Sequence, residues 1–315
     1  MSTSAGAPEL VAADSFRVRV RDGRAEVRGF EQHIERFRWA VSDAMLADGS
    51  GSRPEVSTVE ESTRRAAATS ALFDPNPVAA PASFSWLVHD SPLTAAERAT
   101  LDAFLIESGA EIERFGEGFP RLEMWRDPDG STRFARSLRP LPPLGETLQL
   151  TSVVAAPCAH ARRKGPNIAS YSALNRRLSA EAVLVDATGF VREGATTSFV
   201  CWPDDSEQTG YVSDSDARVA SVTEAILVAA AAQRLVGEKP NRTRAGLLAR
   251  ASATVSELQR AEVWAVNALH GIRTVSHIDG VTLPSHNASR LQWFREALDR
   301  SWQPVEPVTR GDARP

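Results

Sequence analysis

Cysteine is almost absent from this chain. Two occur in 315 residues, Cys158 and Cys201, and neither stands in a Cys-x-x-Cys or Cys/His spacing, so a disulfide framework or a zinc centre has no support. The six histidines are scattered, which leaves a histidine metal site equally unsupported. No run approaches the roughly 18 apolar residues of a spanning helix. The opening "MSTSAGAPELVAADS" lacks the basic-then-apolar order of a secretory leader, so the expectation is a cytoplasmic protein without a membrane segment. Charge of one sign is also missing: Lys+Arg 36 against Asp+Glu 40 gives a net charge of −4, which provides no electrostatic footprint for nucleic acid. Several nucleotide and hydrolase signatures are absent as well. "GEG" at 116–118 lacks a third glycine and runs into Pro120, and there is neither a phosphate-loop Gly-Lys-Ser/Thr nor a Gly-x-Ser-x-Gly elbow.

What is present is an ordinary globular composition, 42% hydrophobic and 24% charged, with length enough for two domains. "SFRVRVRDGRAEV" alternates about Asp22-Gly23 as a hairpin does. Phe30, Ile34, Phe37, Val41 and Met45 then recur at helical spacing, with Arg36 and Arg38 directed elsewhere, and 48–54 reads as a loop. Residues 56–73 suit a helix, "PNPVAAPAS" is irregular and "FSWLVHD" a strand. Thr94 and Glu97 form a capping-box pattern for a helix that Gly109 should stop, and "FPRLEMWRD" is a short strand.

"LRPLPPLGE" reads as a stiff linker and places a domain boundary near residue 150, giving domains 1–150 and 151–315. Beyond it "LQLTSVVAA", "AEAVLVD" and "TTSFVCW" are apolar strands, with "ATG" a turn. Ser221 and Glu224 open a helix, "SVTEAILVAAAAQRLVG", that is apolar on almost every face and therefore buried. "TVSELQRA" is a capped helical turn, "EVWAV" a strand, "IDG" a turn and "SRLQWFREALDRSW" a closing helix.

Ser221 as an N-cap leaves the Val222 and Thr223 amides pointing out of a helix start, where the dipole favours an anion. Taken singly, the other candidates have ordinary explanations. Lys164 beside Gly-Pro reads as a solvated loop lysine, Glu193 as a hairpin-end carboxylate, Arg36 as the polar face of its helix, and Arg121 as a strand arginine with a carboxylate partner.

Their order carries more than any one of them. "HIERF" (33–37), "RRKGPN" (162–167), "EAVLVDATGFVREGATTSF" (181–199), "SVTEAIL" (221–227) and "AEVWAVNALHGIRTVSHIDG" (261–280) together resemble the fold-type IV pyridoxal-phosphate (PLP) enzymes. This is the class-IV aminotransferase family, which includes branched-chain and D-amino-acid aminotransferases and 4-amino-4-deoxychorismate lyase. The resemblance implies a two-domain α/β (α+β) fold, with a smaller N-terminal α/β domain and a larger C-terminal domain holding a β-barrel-like sheet and helices. It implies PLP in a Schiff base with Lys164, and Glu193 facing the pyridine nitrogen so that the ring acts as an electron sink. The cofactor phosphate would meet Arg36, the amides of Val222 and Thr223 with the Thr223 hydroxyl, and amides of the turn at Ala268 and Leu269. Arg121 would take the substrate carboxylate, with Arg126 as second candidate. A homodimer acting on a small amino acid and a keto acid is implied too.

Two departures stand out. The family's "GDG" followed by an aromatic is "ADSF" here, so a cofactor- or substrate-facing polar group expected in that region has no assigned place, and the usual arginine after the helix start is Glu224. Within the family, "KGPN" and "NAL" (267–269) resemble the lyase branch, which releases pyruvate and 4-aminobenzoate, whereas Arg121 resembles the aminotransferase branch. Transamination is the favoured expectation. The alternative from another class is a non-catalytic protein on the same fold, against which stand Lys164 and Glu193.

Overall fold

The structure, a computed structural model, describes residues 6–49, 93–203, 209–237 and 247–305. The sequence expectations for 56–73, "PNPVAAPAS" and "FSWLVHD" lie outside the described residues.

The first strand, β1 (Glu9–Ser15), is buried from Val11 onward, because one of its faces covers a helix and the other a loop of the second half of the chain. It pairs antiparallel with a strand far along the chain. The hairpin β2 (Val18–Arg21) and β3 (Arg24–Arg28) forms as expected, and its turn residues Asp22 and Gly23 both have positive φ, 51° and 76°, which matches the twist of the flanking strands. Helix α1 (Phe30–Gly49) buries Phe30, Ile34, Phe37 and Val41 on one face, with Met45 partly buried against the same core. It runs through Asp48 and Gly49, where the composition suggests a loop. Helix α2 (Ala95–Phe115) starts with the expected Thr94/Glu97 capping box but passes through Gly109, which is buried in its packed face. The helix stops instead at Gly116, whose φ is 81°. Strands β4 (Arg121–Arg126) and β5 (Thr132–Ser137) follow, and the small sheet runs β1-β4-β5.

A nine-stranded sheet begins at β6 (Thr147–Val154). The next element, α3 (Ile168–Leu178), has no counterpart among the sequence expectations; none of its residues is fully buried, Tyr171, Leu174 and Leu178 rest on the sheet, and Asn175 bonds Glu181 and the Ala182 amide of the following strand. Strands β7 (Glu181–Val185) and β8 (Val191–Gly194) make the hairpin around "ATG", so "REG" lies within a strand. Strand β9 (Ser198–Pro203) takes other partners, β10 (Thr209–Ser213) and a later strand. Then come α4 (Val222–Gly237), β11 (Leu247–Ala251), the short α5 (Val255–Leu258), β12 (Ala261–Asn267), β13 (Gly271–Ile278), β14 (Val281–Thr282), α6 (Ala288–Asp299) and β15 (Trp302–Pro304).

The sheet order is β11-β10-β9-β12-β13-β6-β7-β8, with β14 beside β13. It curls: the Val191 amide in edge strand β8 donates to the Ala253 carbonyl just past β11, at the opposite edge, 2.8 Å away. The result is a mixed α/β fold with a half-barrel sheet. Its interior is filled by Leu150, Val183, Phe199, Val263 and their neighbours. On the outer face α4 and α6 pack over Trp202 and Trp264, and Phe294 of α6 joins them in a cluster whose rings lie 5.3–5.6 Å apart. Strand β15 returns to pair with β3 and completes a second small sheet, β15-β3-β2.

Candidate functional site

A cavity of about 340 Å³ opens between the small β1-β4-β5 sheet and the half-barrel, and Lys164, Glu193, Arg36, Arg121, Val222, Thr223, Ala268 and Leu269 all line it. Residues scattered over more than two hundred positions thus face one space.

Lys164 reaches it from the loop between β6 and α3. That loop is clamped onto β1, since the Ala13 amide donates to the Lys164 carbonyl at 2.8 Å. The next residue, Gly165, has φ 142°, and a Cβ there would meet the Ala12 backbone at 2.8–3.0 Å, so only glycine permits this approach. Burial pushes the Lys164 amine down to about 8, Arg36 adds to the effect, and Asp14 offsets part of it. Glu193 enters from β8 on the other side. Burial pushes its carboxyl up to about 8 against the opposing pull of Arg218, the Val219 amide and Arg192. One oxygen, Oε2, accepts from the Val219 amide at 3.2 Å, whereas Oε1 is buried with no partner among the described residues.

The start of α4 supplies the anion end. The Val222 and Thr223 amides belong to its first turn and have no intrahelical acceptor. Ser221 Oγ accepts from the Glu224 amide at 3.2 Å, which is half of the expected capping box. The other half is not made, because the Glu224 carboxylate instead takes both Nη atoms of buried Arg218 at 2.7 and 2.8 Å. A positive charge thus returns beside Glu193 from a residue six positions earlier.

Arg36 is not on the polar face of α1 but 5% exposed. Its Nε and Nη2 donate to Asp14 at 2.7 and 2.8 Å, and its Nη1 to the Ala220 carbonyl at 2.6 Å. Asp14, in the "ADSF" departure, thus lies fully buried behind Arg36, while its neighbour Ser15 is the polar residue of that stretch that lines the cavity. Burial raises the Asp14 pKa, but Arg36 and His33 outweigh that and hold the carboxyl far below the usual range. His33 Nδ1 lies 2.8 Å from Asp14, and burial lowers its pKa to about 4, so it sits neutral and donates to the carboxylate. Removing one partner of a buried ion pair costs about 3–5 kcal/mol. Asp14→Asn is therefore expected to lower the urea midpoint of the cofactor-free protein by a corresponding amount; an unchanged midpoint would show that the pair is not needed to balance Arg36.

The turn after β12 departs from expectation at one residue. The Leu269 and His270 amides both donate to Asn267 Oδ1, at 3.1 and 2.9 Å, so the Leu269 amide is already engaged and does not face a phosphate. Ala268 remains on the cavity wall. Asn267 is accordingly a turn-former. The segment Ala195–Thr197 on the opposite wall is fixed by Glu181, which accepts from the Thr196 amide and from the Thr196 and Thr197 hydroxyls at 2.6–3.1 Å.

Arg121 starts β4 and lines the cavity, with Nε bonded to buried Glu123 at 2.5 Å. Arg126, at the other end of β4, does not line it; its Nη2 donates to the Ala44 carbonyl in α1 at 3.4 Å and its Nη1 lies 3.8 Å from Glu9. The six-residue strand separates the two, so Arg126 is not placed to meet a ligand held by Lys164. Arg139, which carries no signal of its own in the sequence, lines the cavity beside Arg121. It follows the last residue of β5 by two positions, inside the stretch that reads as a linker, and only the folded sheet turns it inward.

No protein-family model matches the sequence, and no curated protein matches it. Solved structures do match its fold. A T.th. branched-chain amino acid aminotransferase is 13% identical, with 96% of this chain and 90% of that chain covered and a TM-score of 0.61. A fold IV-transaminase from Curtobacterium pusillum is 16% identical, with 92% and 84% covered and a TM-score of 0.57. A hypothetical aminotransferase from Mycobacterium tuberculosis is 18% identical, with 92% and 88% covered and a TM-score of 0.56. The chain has the fold of the fold-type IV, class-IV PLP aminotransferases. Among the described residues no helix is long and apolar enough to cross a membrane.

Proposed function

We propose that this protein is a PLP-dependent aminotransferase that moves an amino group between an amino acid and a keto acid. The observation carrying this reading is the pairing, across one cavity, of a buried lysine whose amine is pushed down to about 8 with a buried carboxylate whose Oε1 lacks a partner among the described residues. The donor set fits the cofactor. A buried acceptor without a donor is costly to leave alone, and a protonated ring nitrogen satisfies it while drawing Glu193 into its ionised form. The first-turn amides of α4, with Arg36 and the Ala268 turn, suit a phosphate. Two of the similar proteins point the same way: the T.th. enzyme is complexed with N-(5'-phosphopyridoxyl)-L-glutamate and the Mycobacterium tuberculosis one with α-ketoglutarate and PMP.

The bound cofactor supplies an electron sink for charge developing at the substrate's α carbon. The chain's residues do the rest. Lys164 would hold the cofactor and, when its amine is free, would serve as a base matched to neutral pH that moves the proton from the substrate's α carbon to the cofactor carbon. Glu193 keeps a positive charge on the ring nitrogen. Asp14 and His33 hold Arg36 in place at the phosphate end, and the Asp14 charge limits the repulsion between Arg36 and Lys164. Arg121 faces the same space for a carboxylate. The division of the chain near residue 150 belongs to this proposal, supported by the start of the nine-stranded sheet at Thr147. So does a homodimer, for which exposed Val154 (74%) and Leu144 (44%) offer apolar surface; a monomer mass in sedimentation would remove it.

The test is the absorption spectrum of purified, PLP-supplied protein before and after a panel of L- and D-amino acids without any keto acid. Conversion of the yellow band to that of the amine cofactor is the expected result, and it names the donor class. A band that no amino acid converts, together with pyruvate release from aminodeoxychorismate, would transfer the assignment to the lyase. Absence of any cofactor band would end the enzyme reading.

A further inference from the structure

The cavity wall between β4 and β5 carries more positive charge than its protein partners answer. Buried Glu123 is the carboxylate bonded there, and its oxygens are taken by Arg121 Nε at 2.5 Å, Ser137 Oγ at 3.0 Å and Trp125 Nε1 at 2.9 Å. None of them reaches Arg139. Among the described residues that guanidinium donates only to neutral acceptors, the Phe119 carbonyl at 3.0 Å and Ser15 Oγ at 3.4 Å, and it lies 5.0 Å over the Phe119 ring. Phe119 and Ser15 line the cavity with it. A half-buried cation with neutral partners is held at a cost, and burial followed by the Arg121 charge lowers its pKa. Both arginines act on the Lys164 amine through space, so their charge lies beside the reacting position. Two guanidiniums against one carboxylate leave a single positive charge to be answered.

We propose that Arg139, and not Arg121 at the family position, is the primary receptor for the substrate carboxylate, with Arg121, already oriented by Glu123, as the second contact. This rests on the aminotransferase reading and deepens it. A simple ketone or amine would leave Arg139 unanswered, whereas a carboxylate completes a charge-assisted pair at low local dielectric. Family position points to Arg121; the hydrogen bonds give Arg121 a protein carboxylate and Arg139 none.

The experiment is calorimetric titration of the PLP-supplied protein with butyrate, with the cofactor absorbance recorded on the same samples. Wild type should bind butyrate, and Arg139→Gln should bind it about 10- to 100-fold more weakly, as expected for loss of a charged hydrogen bond. Arg121→Gln should lose less, and Arg139→Lys, which keeps the charge, should recover part of the affinity. Butyramide, which has the same shape without the charge and does not exchange with an imine, should not compete. Wild-type protein that carries the cofactor but binds no butyrate would overturn the proposal, as would Arg139→Gln protein with wild-type affinity. Should Arg139→Gln prove unfolded by circular dichroism, the comparison of Arg139→Lys with Arg121→Gln decides: a Lys variant that binds more weakly than the Arg121 variant supports the assignment, and one that binds like wild type while the Arg121 variant fails overturns it. Loss of cofactor absorbance in wild type would count against the aminotransferase reading alone, because heat of butyrate binding is read without it.

Discussion

Glu193→Gln is expected to slow turnover by orders of magnitude, because an amide cannot hold a positive charge on the ring nitrogen, while the cofactor-free protein becomes less sensitive to pH. The sign follows from its raised pKa. A carboxyl at about 8 in the folded protein and near 4.5 in the unfolded chain gives stability that is fully present below 4.5 and is lost as pH rises through 8. A tenfold change in a protonation equilibrium corresponds to about 1.4 kcal/mol, so the whole window spans a few kcal/mol. His33 works in the opposite direction: lowered to about 4, it makes stability rise with pH between 4 and its ordinary 6.5. In wild type the two oppose one another between about 4.5 and 6.5, and the net fall appears between 6.5 and 8. His270, also lowered to about 4 by burial, adds to the His33 rise, so in Glu193→Gln the combined histidine rise should remain and the fall between 6.5 and 8 should vanish. Urea unfolding of the cofactor-free proteins at several pH values checks this, and parallel curves would remove the buried, protonated carboxyl.

Lys164→Ala should be inactive, with turnover lower by about 10⁴-fold or more, the scale set by loss of a nucleophile that is also the proton carrier. The protein should remain folded and still take up PLP, since Arg36, the α4 amides and Glu193 are untouched, but the cofactor should leave on gel filtration instead of remaining covalently bound. Retention of wild-type yellow absorbance after gel filtration would refute the role of Lys164. Stability offers an independent check. The buried amine, at about 8 against an ordinary 10.5, makes wild-type cofactor-free protein gain stability as pH rises from 8 towards 10.5, and the variant should show no such gain.

Much of the site is legible in the sequence where chemistry and local punctuation coincide. Lys164 next to Gly165, Glu193 within a strand beside a turn, and the capped start of the largely apolar α4 each carry a local reason to be where they are. Residues that act only through tertiary contact are not legible. Asp14 lies in a stretch of small residues that carries no strand signal in the sequence, and both β1 and its role appear only when the chain folds and Arg36, on a helix, closes on it. Arg218 and Glu224 are separated by the helix start, so their pairing depends on the path of the loop. Arg139 is hidden in a proline-rich stretch with the look of a linker. The helix α3 carries Ile168, Tyr171, Leu174 and Leu178 at helical spacing, but the Gly-Pro just before it marks a loop and none of its residues is fully buried, so the short period stands beside a strong loop signal. Gly109 misleads because a glycine that marks a stop on an exposed helix is also the residue that permits close packing on a buried one. Leu269 differs from these: its turn lies where the sequence puts it, but its amide is satisfied by Asn267 within the turn itself.

Strand β15 sets an order of events. Trp302 pairs with Arg28, Pro304 with Glu26, and the Gly29 amide donates to the Ser301 carbonyl, so the sheet under the first hairpin is closed by residues translated about 270 positions later. Contacts this distant form late, after loop closure over nearly the whole chain. On the ribosome the hairpin and the start of α1 must wait with one edge open while the half-barrel is made. A chain released before residue 301 would carry Lys164, Glu193 and the α4 amides yet lack the clasp that seats α1, and with it the arginine at the phosphate end.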